Sequence, residues 1–502
     1  MNIETAYKTY KEIYEKIAAY GHAMRILAYD GETVAPALAA AGRGKTQGIL
    51  SGLQYELYTC PEMTEAVSYL VAHADELDEF RRREISEFNK TNEYVSSIPA
   101  EEYVEFQVFI NEAQDVWHRA KQTNDFELFR PYLEKIFETT RRHALYYKPD
   151  QDPYDTLLDM YERGLTREKA EVFFAALKEK LVPLMKRVFA AGEIDDSFSF
   201  RTYPIEIQRK FSDILLHSIG VDRRRCAIGE TEHPFTDCMN RNDARVTTHY
   251  HEDNLLSSMY SVIHEGGHAL YDMGSDEKLD GTCLFGGVSM GIHESQSRLF
   301  ENIIGRSREY IDLIFPKLKE LFPEQLADVD ARKFWLAVNK SQPSLIRTEA
   351  DELTYAMHVM VRYELEREIM AGRLAVADLP RAWAEKYREY LGVEVPDDTH
   401  GVLQDSHWSG AAIGYFPSYA LGSAYGAQIV DRMKKDIDFE GAIRAGEISK
   451  ITAWLTDKIY RHGCMYDPAV LFENCCGAPF SPDYFVDYLT KKYETIIAEL
   501  TK

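Results

Sequence analysis

Two histidines four residues apart, His264 and His268, lie inside the run SMYSVIHEGGHALYDMG, whose apolar residues recur at helical spacing. No other feature constrains the fold as strongly, because the spacing puts both imidazoles on one helical face, within reach of one metal ion. The intervening Glu265 completes an H-E-x-x-H pattern, in which the Glu can act as base on a metal-bound water. Gly266 and Gly267 sit in mid-run, where each costs about 1 kcal/mol relative to Ala. Bare backbone at that point implies close approach of a substrate, a second chain segment or the metal site. The plainer alternative, two core histidines on an amphipathic helix, leaves both glycines unexplained.

Two imidazoles call for a third donor and an open fourth position for water. The next run, GGVSMGIHESQSRLFENIIG, has helical spacing and contains His293, Glu294 and Glu301. Glu294 follows His268 at a distance that allows a turn and an antiparallel return helix, and is the expected third ligand. Glu301 lies two turns further on the same face, where it could accept a hydrogen bond from a ligand imidazole and fix its tautomer. A solvated charge or a pair with Arg298 is the other reading of Glu301. His293 points about 100° away from Glu294 and reads as a packing or hydrogen-bonding residue.

The chain has 502 residues, enough for a large core, and a formal net charge of −24. That charge argues against nucleic acid or an anionic membrane surface as partner. Seven cysteines without a regular framework read as cytosolic thiols. The N-terminus MNIETAYKTYKEIYEK has neither the basic nor the apolar region of a secretory signal. The longest uncharged run, Trp408 to Val430, carries Pro417 and four glycines, and reads as buried interior rather than a membrane span. A cytoplasmic location is expected.

Helical periodicity fills most of the chain, as in AEVFFAALKEKLVPLMKRVFAAG and ELTYAMHVMVRYELEREIMAG. Two short segments, Ala244 to Tyr250 and Pro343 to Arg347, are expected as strands of a small ribbon. With no repeat and no hinge-like linker, residues 1–502 read as one all-α body with a deep substrate cleft and at most a small β-ribbon near the site.

Several short motifs occur together: HPFT at 233–236, DARVT at 243–247, HEGGH at 264–268, HESQSRLFEN at 293–302, IRTEADELTY at 346–355, GVLQDSHWS at 401–409 and GYFPSYALGS at 414–423. In this order they resemble the family 32 zinc metallocarboxypeptidases of the thermostable-carboxypeptidase type, from about residue 20 to the C-terminus. The resemblance implies a nearly all-helical fold with a long groove, a homodimer, and removal of single C-terminal residues from peptides with broad side-chain tolerance. It also assigns His264, His268 and Glu294 as ligands of one divalent ion, Zn2+ by default and Co2+ as the alternative, and Glu265 as the general base. Tyr29-Asp30 stands where the family usually has Trp-Asp, Ser423 where it has Asn, and the Cys475-Cys476 region is atypical.

By the same resemblance, His407, Tyr415 and Tyr419 are candidate donors to a developing oxyanion. Spacing does not decide which tyrosine faces the metal, because Pro417 lies between them. A free C-terminal carboxylate calls for a guanidinium. Arg347 is the first choice, unless Glu349 or Asp351 neutralises it; Arg245 is the second, although Asp243 is its natural partner. Gln404 and Asp405 are expected to orient His407 from behind, and His249 and His251 to line a surface or cleft. A zinc endo-oligopeptidase and a non-enzymatic peptide-binding scaffold are the competing readings. The first would lack a carboxylate anchor, and the second would have lost a ligand or the base.

Overall fold

The computed structural model describes residues 1–501, and helices dominate it. Those that bear on the site are α1 (Ile3–Thr33), α2 (Ala40–Thr59), α3 (Pro153–Tyr161), α4 (Ile205–Ser218), α5 (Leu255–Met273), α6 (Met290–Arg298), α7 (Tyr355–Met370) and α8 (Pro417–Met433). Among the described residues no helix is long and apolar enough to cross a membrane. The apolar core falls into two clusters. A small one joins Ala6, Tyr10 and Ile17 of α1 to Met63, Val67, Leu70 and Phe88. The large one runs from Ala113 to Ile496 and surrounds α5.

One three-stranded sheet flanks α5. It comprises β1 (Cys226–Glu230), β2 (Thr236–Asn240) and β3 (Asp243–Thr248), in the order β1-β3-β2. β3 pairs parallel with β1 and antiparallel with β2. The strand expected from Ala244 is thus β3, central rather than half of a ribbon. The one expected at Pro343–Arg347 is absent: the chain there is irregular and enters a 3₁₀ turn at Arg347–Glu349. Side chains hold this segment in place of strand partners. Gln404 Oε1 accepts the Arg347 N–H at 3.1 Å, and Asp351 accepts the Ser341 hydroxyl at 2.8 Å and the Gln342 N–H at 3.2 Å. β1 and β2 lack a clean period-two pattern, so alternation could not reveal them.

Helix α5 begins at Asn254, whose side chain accepts the Ser257 N–H. Its two mid-helix glycines mark close approach of other chain segments. A Cβ on Gly266 would stand 2.5 Å from Ile219, just past α4, and one on Gly267 would stand 2.8 Å from the Ser297 Cα of α6. On the other side of α6, Gly422 and Gly426 of α8 face Glu294 and Ser295, where a Gly422 Cβ would come within 2.6 Å of Glu294 Cβ. α6 therefore lies between two glycine-bared helix faces, one on α5 and one on α8.

The seat of α6 predicts opposite outcomes for two Gly→Ala exchanges. Gly267→Ala gains helix propensity but meets backbone that cannot rotate away, so thermal unfolding should show a net loss of about 1–3 kcal/mol. Gly42→Ala in α2, with nothing within 4 Å of the new methyl, should stabilise by up to about 1 kcal/mol. Equal shifts for both would contradict the close packing of α5 on α6.

Candidate metal centre

α5 and α6 bring three donor atoms together. Glu294 Oε2 lies 3.7 Å from His264 Nε2 and 3.5 Å from His268 Nε2. The three groups offer ligand atoms within 4.8 Å of one another, the one such cluster among the described residues. Glu294 Oε1 is taken by Arg298, whose Nε donates at 2.7 Å, which leaves Oε2 turned toward the imidazoles. Two imidazole nitrogens and one carboxylate oxygen converging below the surface suit a divalent cation.

The outward imidazole nitrogens have different partners. His264 Nδ1 lies 2.8 Å from Glu301 Oε2; the carboxylate accepts, so the proton sits on Nδ1 and the Nε2 lone pair faces the cluster. His268 Nδ1 lies 2.6 Å from His293 Nδ1, and His293 Nε2 lies 3.1 Å from Asp272 Oδ1. With both rings neutral, His293 donates to Asp272 and accepts from His268, which again frees Nε2. Glu301 belongs to a π-helical turn over Leu299–Ile304 that continues α6, a distortion frequent at functional sites. It also accepts from Arg298 Nη1 at 3.1 Å and from Arg306 Nη2 at 3.2 Å, so the imidazole bond and the arginine pair expected as alternatives coexist.

Charge follows from these contacts. Burial alone would raise the Glu294 and Glu301 carboxyls, but Arg298 above all, with the neighbouring imidazoles, holds both well below the usual range. Burial disfavours charge on His264 too, yet Glu294 and Glu301 outweigh it and raise its pKa. On His268 burial prevails and the pKa falls.

Glu265 is buried beside the two histidines on α5. The Thr236 hydroxyl of β2 lies 2.7 Å from its Oε2 and 2.9 Å from its carbonyl oxygen. Thr236 stands in the HPFT motif, but a lone hydroxyl carries no chemical signature, and only the packing of β2 on α5 reveals its partner.

A second group of side chains adjoins the first through α8 and Tyr355. Arg298 lies over the Tyr355 ring, 4.4 Å from its centroid, and Arg347 Nη1 donates to the Tyr355 hydroxyl at 3.0 Å. Arg347 is buried and pairs with neither Glu349 nor Asp351. Its Nε and Nη2 reach Asp405 Oδ1 at 3.0 and 2.8 Å, while Arg362 Nε donates to Asp405 Oδ2 at 2.7 Å. Two guanidiniums around one carboxylate leave a net positive charge. Burial would raise the Asp405 carboxyl, but Arg362 and Arg347 hold it well down. Gln404 and Asp405 are thus committed to the arginines rather than to His407. Arg245 is held by Asp243 at 3.0 and 2.9 Å, the partner its spacing suggested. His249 and His251 lie with their rings tilted at 4.3 Å, with His249 Nδ1 at 3.0 Å from the Thr231 carbonyl, and neither belongs to the three-donor cluster.

His407 Nε2 lies 3.2 Å from the Tyr419 hydroxyl, and its Nδ1 is buried with no partner among the described residues. Pro417 opens α8 at a position where its missing N–H costs nothing. Tyr415 therefore precedes the helix and Tyr419 sits in its first turn, their rings edge to face at 5.1 Å. Burial, with the Arg347 charge behind it, lowers the His407 pKa from 6.5 to about 4.

The chain matches, over residues 9–493, the family described as Carboxypeptidase Taq (M32) metallopeptidase. It is 39% identical to Carboxypeptidase 1 of Bacillus subtilis over 498 residues, 99% of either chain. It is 36% identical to Thermostable carboxypeptidase 1 of Thermus thermophilus over 510 residues, 99% of this chain and all of that one. The crystal structure of an M32 carboxypeptidase from Deinococcus radiodurans R1 superimposes with a TM-score of 0.96 at 36% identity, covering 98% of this chain and 100% of that one.

The depressed His407 pKa has a defined sign. Between about pH 6.5 and about pH 4 the unfolded chain binds a proton at this ring that the folded chain does not, so stability falls as the pH drops through that window. In urea unfolding at about pH 7 and about pH 5, His407→Asn should lose less stability on acidification than the parent. An equal loss would place the titration elsewhere.

Proposed function

The chain belongs to the Carboxypeptidase Taq (M32) metallopeptidase family, and we propose that it removes single amino acids from the free C-terminus of peptides, with broad tolerance of the side chain released. The reading rests above all on the convergence of His264, His268 and Glu294 beside the buried carboxylate of Glu265. As an M32 metallopeptidase the protein takes a divalent metal, which His264 Nε2, His268 Nε2 and Glu294 Oε2 would hold. Zn2+ is the proposed ion, since the donor set is imidazole and carboxylate, with Co2+ the alternative. When bound, the metal polarises the scissile carbonyl and lowers the pKa of a water held there.

The chain's own groups would do the rest. Glu265, oriented by the Thr236 hydroxyl, takes the proton of the attacking water and passes it to the leaving amine. His407 is neutral at neutral pH, so it can donate an N–H to the developing oxyanion without carrying charge. Tyr419, in reach of His407 Nε2, and Tyr415 beside it are the other donors in this reading. The positive balance of Arg347, Arg362 and Asp405 offers an anchor for the substrate carboxylate, a role that Arg245, spent on Asp243, is less suited to fill. The proposal takes residues 1–502 as one catalytic unit, working as a homodimer in the cytoplasm.

Metal-loaded protein incubated with a peptide and with its C-terminally amidated twin should produce, by mass spectrometry, a ladder of single losses from the free terminus alone. Internal cuts in both peptides would replace this reading with an oligopeptidase. Glu265→Gln should keep metal and fold while kcat falls by about 10²–10⁴-fold; near-normal turnover would remove Glu265 from the proton path.

A further inference from the structure

Glu366, on α7, is fully buried, and among the described residues no cation pairs with it. Its carboxylate accepts three neutral donors, one from α3 and two from the turn that precedes α8. These are the Trp408 indole N–H at 2.7 Å, the Gly414 backbone N–H at 2.9 Å and the Tyr154 hydroxyl of α3 at 2.8 Å. A buried carboxylate without a counter-ion is costly, and burial pushes this one up to about 7. An apolar side chain here would leave the Gly414 backbone N–H without its acceptor, so the carboxylate fixes that backbone group in a way apolar packing could not.

Two of the donors bracket one turn. Trp408 follows His407 directly, and Gly414 precedes Tyr415. Between them Ala411 holds φ at +59°, and Gly414 itself sits at +89°. Left-handed backbone at an alanine is uncommon and needs outside support. Nor can the turn move toward α3, because a Cβ at Gly414 would already stand 3.1 Å from the Leu157 backbone. One turn of α7 before Glu366, Arg362 donates to Gln404 Oε1 and Asp405 Oδ2, both at 2.7 Å. A single face of α7 therefore grips the segment 404–414 at both ends, by a guanidinium at one and a carboxylate at the other.

We infer that Glu366 is a positioning residue for the peptidase reaction: it fixes the turn that sets His407 against Tyr419. This rests on the reading of His407 as a group that faces substrate. Glu366→Gln would place an amide N–H2 among three donors and release part of the turn, with the three-donor cluster on α5 and α6 untouched.

The test is a double-mutant cycle on metal-loaded full-length protein, reading kcat/KM on a peptide with a free C-terminus together with metal content. Glu366→Gln should lose about 10²-fold, the scale of a misplaced catalytic group, at unchanged metal content. On a His407→Ala background the same exchange should cost about 3-fold or less, because its effect passes through His407. A full second loss on that background, or parental kcat/KM in the single variant, overturns the inference and leaves the functional reading standing. A His407→Ala variant with parental kcat/KM overturns the inference together with the oxyanion role of His407, and leaves the carboxypeptidase reading standing. Should Glu366→Gln fail to fold, Trp408→Phe, which withdraws one donor only, takes its place in the cycle with the same outcomes.

Discussion

The placement of the candidate site depends on how closely α6 can approach its neighbours. Gly267 lets the backbone of α5 touch the Ser297 backbone, and Gly422 and Gly426 let α8 close on Glu294 and Ser295 from the other side. A methyl group at either contact would push α6 away. Glu294 Oε2 would then leave the two imidazoles, which it now faces at 3.5 and 3.7 Å. The mid-helix glycines forgo about 1 kcal/mol each in helix propensity, and that loss is offset by packing that sets the geometry of three donor atoms.

Around this seat, charge is balanced by two different means. Glu294 and Glu301 are buried and Asp405 nearly so; all three carboxylates have arginines against them, and their pKa values are held down. Glu162 and Glu366 are buried carboxylates that form no ion pair among the described residues; neutral donors hold them, with the Arg362 charge acting on Glu366 from one turn away, and burial raises both to about 7. Glu162 accepts the Gly291 N–H at 2.9 Å, at the start of α6, as Glu366 accepts the Gly414 N–H before Tyr415. The paired carboxylates carry the electrostatics of the site. The unpaired ones hold the backbone of the segments that present it, where a directional acceptor achieves what apolar packing cannot.

Much of the first group was legible from sequence because helix periodicity is a local property. His264 and His268 share a face by spacing alone, with Glu265 adjacent in the H-E-x-x-H pattern, and Glu294 and Glu301 follow on one face of the next helix by the same rule. Arg245 also met its spacing partner, Asp243. The Arg347 pairing was not legible. Its neighbours Glu349 and Asp351 were the candidates in sequence, yet Asp405, more than fifty residues on, reaches it in space. Asp351 is meanwhile spent on Ser341, Gln342 and Thr354. Thr236, Arg362 and Glu366 carried no signal, since a hydroxyl on a short strand and a charge on a buried helix look like any others until their partners are known.

By itself the sequence determined the helical class, the two imidazoles with their neighbouring carboxylates, and the family, all of which follow from residue type and short-range spacing. Tertiary structure alone decided which nitrogen of each imidazole faces the cluster, that Tyr419 bonds His407 through its hydroxyl while Tyr415 stacks on the ring, and which acid neutralises each buried arginine. The physical reason is range. Helical register is set within a few residues, whereas a tautomer, a hydrogen bond across helices or a buried ion pair exists only once distant segments have closed to about 3 Å.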